Sequence, residues 1–105
     1  MNQVEQMSER KLGVVKDIVE AVGMSISHVY EDLIFLNHNA FLLQFTDENN
    51  TLLLHSNQEA SKELLRETTA PIKAAAAENG MKFLDGGSYR LTQGSGESLQ
   101  IEFFS

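Results

Sequence analysis

Three histidines, His28, His38 and His55, have the widest chemical repertoire in this chain: metal ligand, general base or pH-dependent charge. A metal reading requires convergence. Two imidazoles meet one ion from positions i and i+2 of a strand or i and i+4 of a helix, and no pair here has that spacing. His38 reads as a turn tip and His55 as a strand end. Ordinary surface or half-buried histidines fit the spacing better, with a site assembled by the fold as the alternative. The acidic pairs Glu31-Asp32 and Asp47-Glu48 suggest acid–base or calcium chemistry. Neighbouring carboxylates on a strand, however, point to opposite faces, and Asp47-Glu48-Asn49-Asn50 lacks the ligand alternation and closing Glu of a calcium loop. No G-x-S-x-G elbow surrounds any serine. Gly86-Gly87 and Gly94-Ser95-Gly96 lead into no helix and precede no Lys-Ser/Thr pair, so they read as turns rather than phosphate cradles. No catalytic residue is assigned.

Charge and composition exclude more than they select. Eight Lys and Arg stand against fifteen Asp and Glu, a net charge of −7. Residues 26–57 hold four acids and no Lys or Arg, so a surface built from them repels phosphates, and nucleic acid is not an expected partner. The chain has no Cys, which rules out disulfides, thiolate metal sites and thiol catalysis. No metal or other cofactor is expected. Met1–Met7 lacks a basic, apolar leader and no apolar run approaches the roughly eighteen residues of a membrane span, which makes the cytoplasm the expected compartment and a membrane an unexpected partner.

The elements that must position these residues follow from periodicity. Leu12, Val15, Ile18, Val19 and Val22 recur at helical spacing, predicting a helix from Ser8 to Val22 that stops at Gly23, after a flexible tail over 1–7. Residues 8–105 form one domain. From Ile26 to Ser56 the texture changes to Leu and Phe broken by Asn-His-Asn and Asp-Glu-Asn-Asn, predicting a three-stranded meander over 27–36, 40–46 and 51–56; a long helix through 31–45 is the competing reading. Ser56 and Glu59 have the spacing of a capping box, so a second helix is expected to open at Ser56, run along Ala60, Leu64, Thr68, Ile72, Ala75 and Ala76, and end at Asn79-Gly80. Pro71 inside it predicts a kink or two abutting helices. Three short strands follow, Met81–Leu84, Tyr89–Gln93 and Leu99–Phe104. The expected fold is α+β, an antiparallel sheet of five to six strands with two helices on one face, in the order α-β-β-β-α-β-β-β.

Strand parity sorts the sheet into two faces. Ile34, Leu36, Phe41, Leu43, Phe45, Leu52 and Leu54 form a wholly apolar set that should meet the helices. The opposite set holds Leu33, Phe35, Leu42 and Leu53 together with Glu31, Gln44, Thr51 and His55, and Phe35, Leu42 and His55 should share one row. A sheet with helices on one side should leave this second set wet, yet four of its members are large and apolar. Three explanations stand: a helix, the N-terminal segment or a curled sheet edge covers them; a second copy or another protein does; or they line a ligand cleft.

This order of elements resembles the small, acidic chaperones of type III secretion. The helix at Leu12–Val22, the meander of Leu33–Leu36, Phe41–Phe45 and Leu52–Leu54, and the helix after Ser56 carry the resemblance, without a specific motif. That family commonly ends in a further helix where this chain has Leu99–Phe104. The resemblance implies a homodimer, and the apolar second face with the acidic charge points to a non-enzymatic interaction protein, an adaptor or chaperone-like module with Leu33, Phe35, Leu42 and Leu53 at the partner surface. The alternative is a small enzyme or ligand-binding domain whose pocket forms between the sheet and the second helix, with His28, Tyr30, His55 and Tyr89 as its polar groups.

Overall fold

The computed structural model describes residues 2–37, 40–93, 96 and 99–104, with side chains from residue 12 onward other than Leu99. The fold is α+β. Helix α1 (Asn2–Ala21) leads into strands β1 (Ile26–Tyr30), β2 (Leu33–Leu36), β3 (Phe41–Phe45) and β4 (Thr51–Asn57); helix α2 (Lys62–Glu78) then connects to β5 (Lys82–Gln93) and β6 (Leu99–Phe104). The six strands form one sheet in chain order. Every neighbouring pair is antiparallel except β4 and β5, which run parallel because α2 carries the chain back to the starting edge of β4.

Both helices end in the same way. Met24 N–H donates to the Val19 carbonyl (3.0 Å) and Gly23 N–H to that of Glu20 (3.0 Å); Met81 repeats this with Ala76 (2.8 Å) and Gly80 with Ala77 (3.1 Å). This pattern needs a residue at positive φ just past the helix, and Gly23 (+81°) and Gly80 (+75°) supply it without strain. The methionine after each glycine turns into the core, where Met24 and Met81 are buried. That core lies between the helices and one sheet face. It joins Val15, Ile18 and Val19 of α1 and Ile72, Ala75 and Ala76 of α2 to the whole parity set Ile34, Leu36, Phe41, Leu43, Phe45, Leu52 and Leu54.

Several boundaries differ from expectation. Helix α1 starts at Asn2, ahead of the expected Ser8 cap and within the segment expected as a tail. The expected strand over 27–36 is a hairpin: Tyr30 pairs with Leu33, so Glu31 and Asp32 make the whole turn, with Glu31 at φ +55°. Ser56 caps no helix. It pairs with Phe41 on one side and Ser88 on the other, which keeps it in β4. The cap is Ser61, whose Oγ accepts from the Leu64 N–H (3.1 Å). Helix α2 is one continuous helix through Pro71. Asp85-Gly86-Gly87-Ser88 is a bulge rather than a turn. Leu54 pairs with Asp85 and His55 with Gly87, so Gly86 is the extra residue and β5 runs on unbroken for twelve residues. The expected turns at His38-Asn39 and Gly94-Ser95 lie outside the described residues.

Candidate functional site

The second sheet face carries the residues singled out from the sequence, and the register places them in two rows. One row is His28, Phe35, Leu42, His55 and Gly87, on β1 through β5. The expected alignment of Phe35, Leu42 and His55 is therefore met. The other row is Tyr30, Leu33, Gln44, Leu53 and Leu84 on the same five strands.

The middle of the first row, together with Leu33 of the second, is covered from within the chain. Past Asn57↔Tyr89, strand β5 has no partner but β6 among the described residues, and the two continue as a ribbon whose Tyr89, Leu91 and Ile101 pack on Leu33, Phe35 and Leu42. Phe35 meets Tyr89 edge-on, with ring centroids 6.3 Å apart. Leu33, Phe35, Leu42 and Tyr89 are all buried within the chain, as the curled-edge explanation requires, so of the four residues expected at a partner surface Leu33, Phe35 and Leu42 are covered and Leu53 is half-buried. Alternation along β5 and β6 puts Arg90, Glu102 and Phe104 on the ribbon's other side. There Arg90 bonds Glu102 (2.6 Å) and lies 5.7 Å from the Phe104 centroid.

His55 sits where the ribbon meets the sheet. It is 3 % exposed. Its Nε2 lies 3.1 Å from Gln44 Oε1, a diagonal neighbour on β3, an oxygen that accepts from the ring in the tautomer carrying its proton on Nε2. Nδ1 is buried without a hydrogen-bond partner. The Phe103 ring of β6 covers one side at 4.7 Å, and the backbone of Gly86 lies against the ring so closely that only glycine fits. Burial pushes the imidazole pKa below its ordinary 6.5; the Gly86 backbone acts in the opposite sense, more weakly and without a well-formed hydrogen bond to Nδ1. Burial likewise lifts the Tyr89 phenol to about 12, against a hydrogen bond with the Asn57 side chain.

The four polar candidates thus lie on the face away from α2, not between sheet and second helix. His28 is exposed at the edge strand with its ring 6.2 Å from Phe35, and Tyr30 is exposed beside it. His55 and Tyr89 are sealed from solvent. Among the described residues no three His, Asp or Glu side chains are placed to hold a metal ion, and no helix is long and apolar enough to cross a membrane. His38 lies outside the described residues.

The second row remains partly open. Tyr30 is 56 % exposed and Leu84 42 %, with Leu53 half-buried between them. Together with Phe103 at 46 %, three of the four exposed large apolar side chains among the described residues stand on this one face; only Val29, at 40 %, is on the other. Leu84 and Phe103 were not singled out from the sequence, where Gln44 stood only in the second-face set and Gly86 only in an expected turn. The diagonal of Gln44 and His55 follows from the expected register, but Leu84 and Phe103 depend on β5 running parallel to β4.

No family model, curated protein or solved structure matches the chain. Function has to be argued from the site itself.

Proposed function

We propose that this chain is a non-enzymatic, cytoplasmic interaction module that pairs with a second copy of itself through the open row of its second sheet face. The observation that carries the reading is the gathering of Tyr30, Leu84 and Phe103, all more than two-fifths exposed, on one face beside Leu53. Isolated apolar side chains on a surface need no explanation, whereas three of the four exposed large ones among the described residues sharing one face favour a contact there. Five strands at about 4.8 Å spacing make the row roughly 19 Å long, a small patch, so the contact is concentration-dependent rather than obligate.

Charge favours a second copy over an unrelated partner. Beyond Tyr30 the row ends at the exposed Glu31-Asp32 turn, and beyond Leu84, on the same face, stands the exposed Lys82. A two-fold axis parallel to the strands lays the rows head to tail, setting the acidic end of each over the basic end of the other. Small acidic dimers of this kind are what the resemblance to type III secretion chaperones implies. An enzymatic reading gains no support, because the two described groups with shifted pKa values are shielded from any substrate.

Sedimentation equilibrium over a concentration and salt series tests the proposal. The net charge of −7 on each copy opposes pairing, so the dimer should tighten as ionic strength rises. A monomer under every condition removes the reading.

A further inference from the structure

Among the described residues the ribbon beyond Tyr89 pairs only with itself, Arg90–Gln93 against Leu99–Glu102. Two strands alone are marginal in water, so the ribbon's place over the sheet depends on side chains: Tyr89, Leu91 and Ile101 on the buried cluster, and Phe103 on His55. His55 is the polar member of that seam. One ring nitrogen is used by Gln44, the other is buried and makes no hydrogen bond, and Gly86 and Phe103 both pack against the ring.

We infer that His55 is a protonation latch: as neutral imidazole it lets the β5–β6 ribbon lie on the sheet, and as imidazolium it releases the ribbon and uncovers Leu33, Phe35 and Leu42. The imidazolium must place a second N–H, and a full charge, in a buried site where Nδ1 makes no hydrogen bond and the Gly86 backbone, which favours the charged form, is outweighed by burial. Phe103 returns part of that cost by cation–π attraction, but an unpaired buried charge outweighs it. Among the described residues no carboxylate faces the ring to compensate. Strands β2 and β3 hold no titratable residue and β4 holds none but His55. On β5, Tyr89 shares its face, Lys82 stands beyond Leu84, Asp85 is on the helix side bonded to Lys73, and Arg90 is paired with Glu102 of β6 on the ribbon's outer side. His28 and Tyr30 of β1 share the face, but His28 lies beyond Leu42 and Phe35 and Tyr30 beyond Gln44 and Leu33. Burial as the dominant influence on this imidazole agrees with the geometry. The latch stands whether or not the open row dimerises.

The test is amide hydrogen exchange on the full chain with His28→Gln and His38→Gln, which leaves His55 as the one imidazole. Exchange is compared at pH 7.5 and pH 5, after correction for the pH dependence of intrinsic rates. Protection over residues 88–93 and 99–104 should fall more than tenfold at pH 5 while β2–β4 stay protected, with a midpoint matching the His55 Cε1–H NMR titration. Adding His55→Gln should abolish the change. If that variant fails to fold, agreement of the two midpoints decides alone. Unchanged ribbon protection, equal loss over the whole sheet, a midpoint that does not follow His55, or a pH response surviving His55→Gln overturns the latch.

Discussion

Gly86 lies against His55 so closely that a Cβ on it would stand 2.6 Å from the ring's Cε1 and 2.8 Å from Nδ1. The extra residue of the bulge is thus the one that makes room for the buried imidazole. Gly86→Ala should force the ring off Gln44 or away from Phe103. The expected loss is about 2 kcal/mol, the usual cost of overpacking a filled core. Urea unfolding of the two proteins measures it, and an unchanged midpoint would mean that the ring is free to move.

Acid should weaken the fold through the same residue. Burial holds folded His55 below the ordinary 6.5, so the unfolded chain takes up this proton at higher pH than the folded one. The contribution is complete above 6.5, is lost as pH falls from there, and stops changing below the folded pKa. One proton gives a slope of at most about 1.4 kcal/mol per pH unit. Urea midpoints between pH 7.5 and 5 should fall in the wild-type chain and fall less steeply in His55→Gln.

Alkali should act through Tyr89, with the opposite pH sense. Its folded pKa of about 12 lies above the unfolded 10.0, so its contribution is complete below 10 and is lost as pH rises through 12. Two units correspond to roughly 3 kcal/mol. In a Tyr30→Phe chain Tyr89 is the one tyrosine, and its phenolate absorbance should appear with a midpoint near 12. A midpoint near 10 would place the phenol in water.

The sequence yields the row of Phe35, Leu42 and His55 because a period of two and a turn length are enough to set register. Both helix stops were legible for a similar reason, since Gly23 and Gly80 stand where a left-handed residue is required. What stayed hidden has no local signature. Glu31 enters the positive-φ region without being Gly or Asn, so the β1–β2 turn left no mark. Ser56-x-x-Glu59 and Ser61 both look like caps, and only the ladder partners of Ser56 on β3 and β5 decide between them. Gly86-Gly87 serves a turn or a bulge equally well. The choice depends on α2 returning the chain parallel to β4, a long-range event that also decides what covers the second face.

Pro71 lies exposed in the middle of α2 and offers no N–H to the Glu67 carbonyl. Pro71→Ala restores that donor, and even after the unfolded chain regains its freedom the variant should be more stable by about 1 kcal/mol. Thermal melts check this. A loss above roughly 2 kcal/mol would mean that the helix needs the proline to fit the sheet.

The division of the second face into a covered row and an open one is tested by light scattering on two variants. Leu42 is fully buried, so Leu42→Ser should destabilise the fold by about 3 kcal/mol or more. Tyr30→Ser with Leu84→Ser touches only exposed positions and should stay folded, within about 1 kcal/mol of the wild type. The predicted result is a wild-type chain that dimerises with rising concentration and salt, and a Tyr30→Ser, Leu84→Ser chain that remains a folded monomer over the same range. A double variant that dimerises as the wild type does would contradict the open row as the contact.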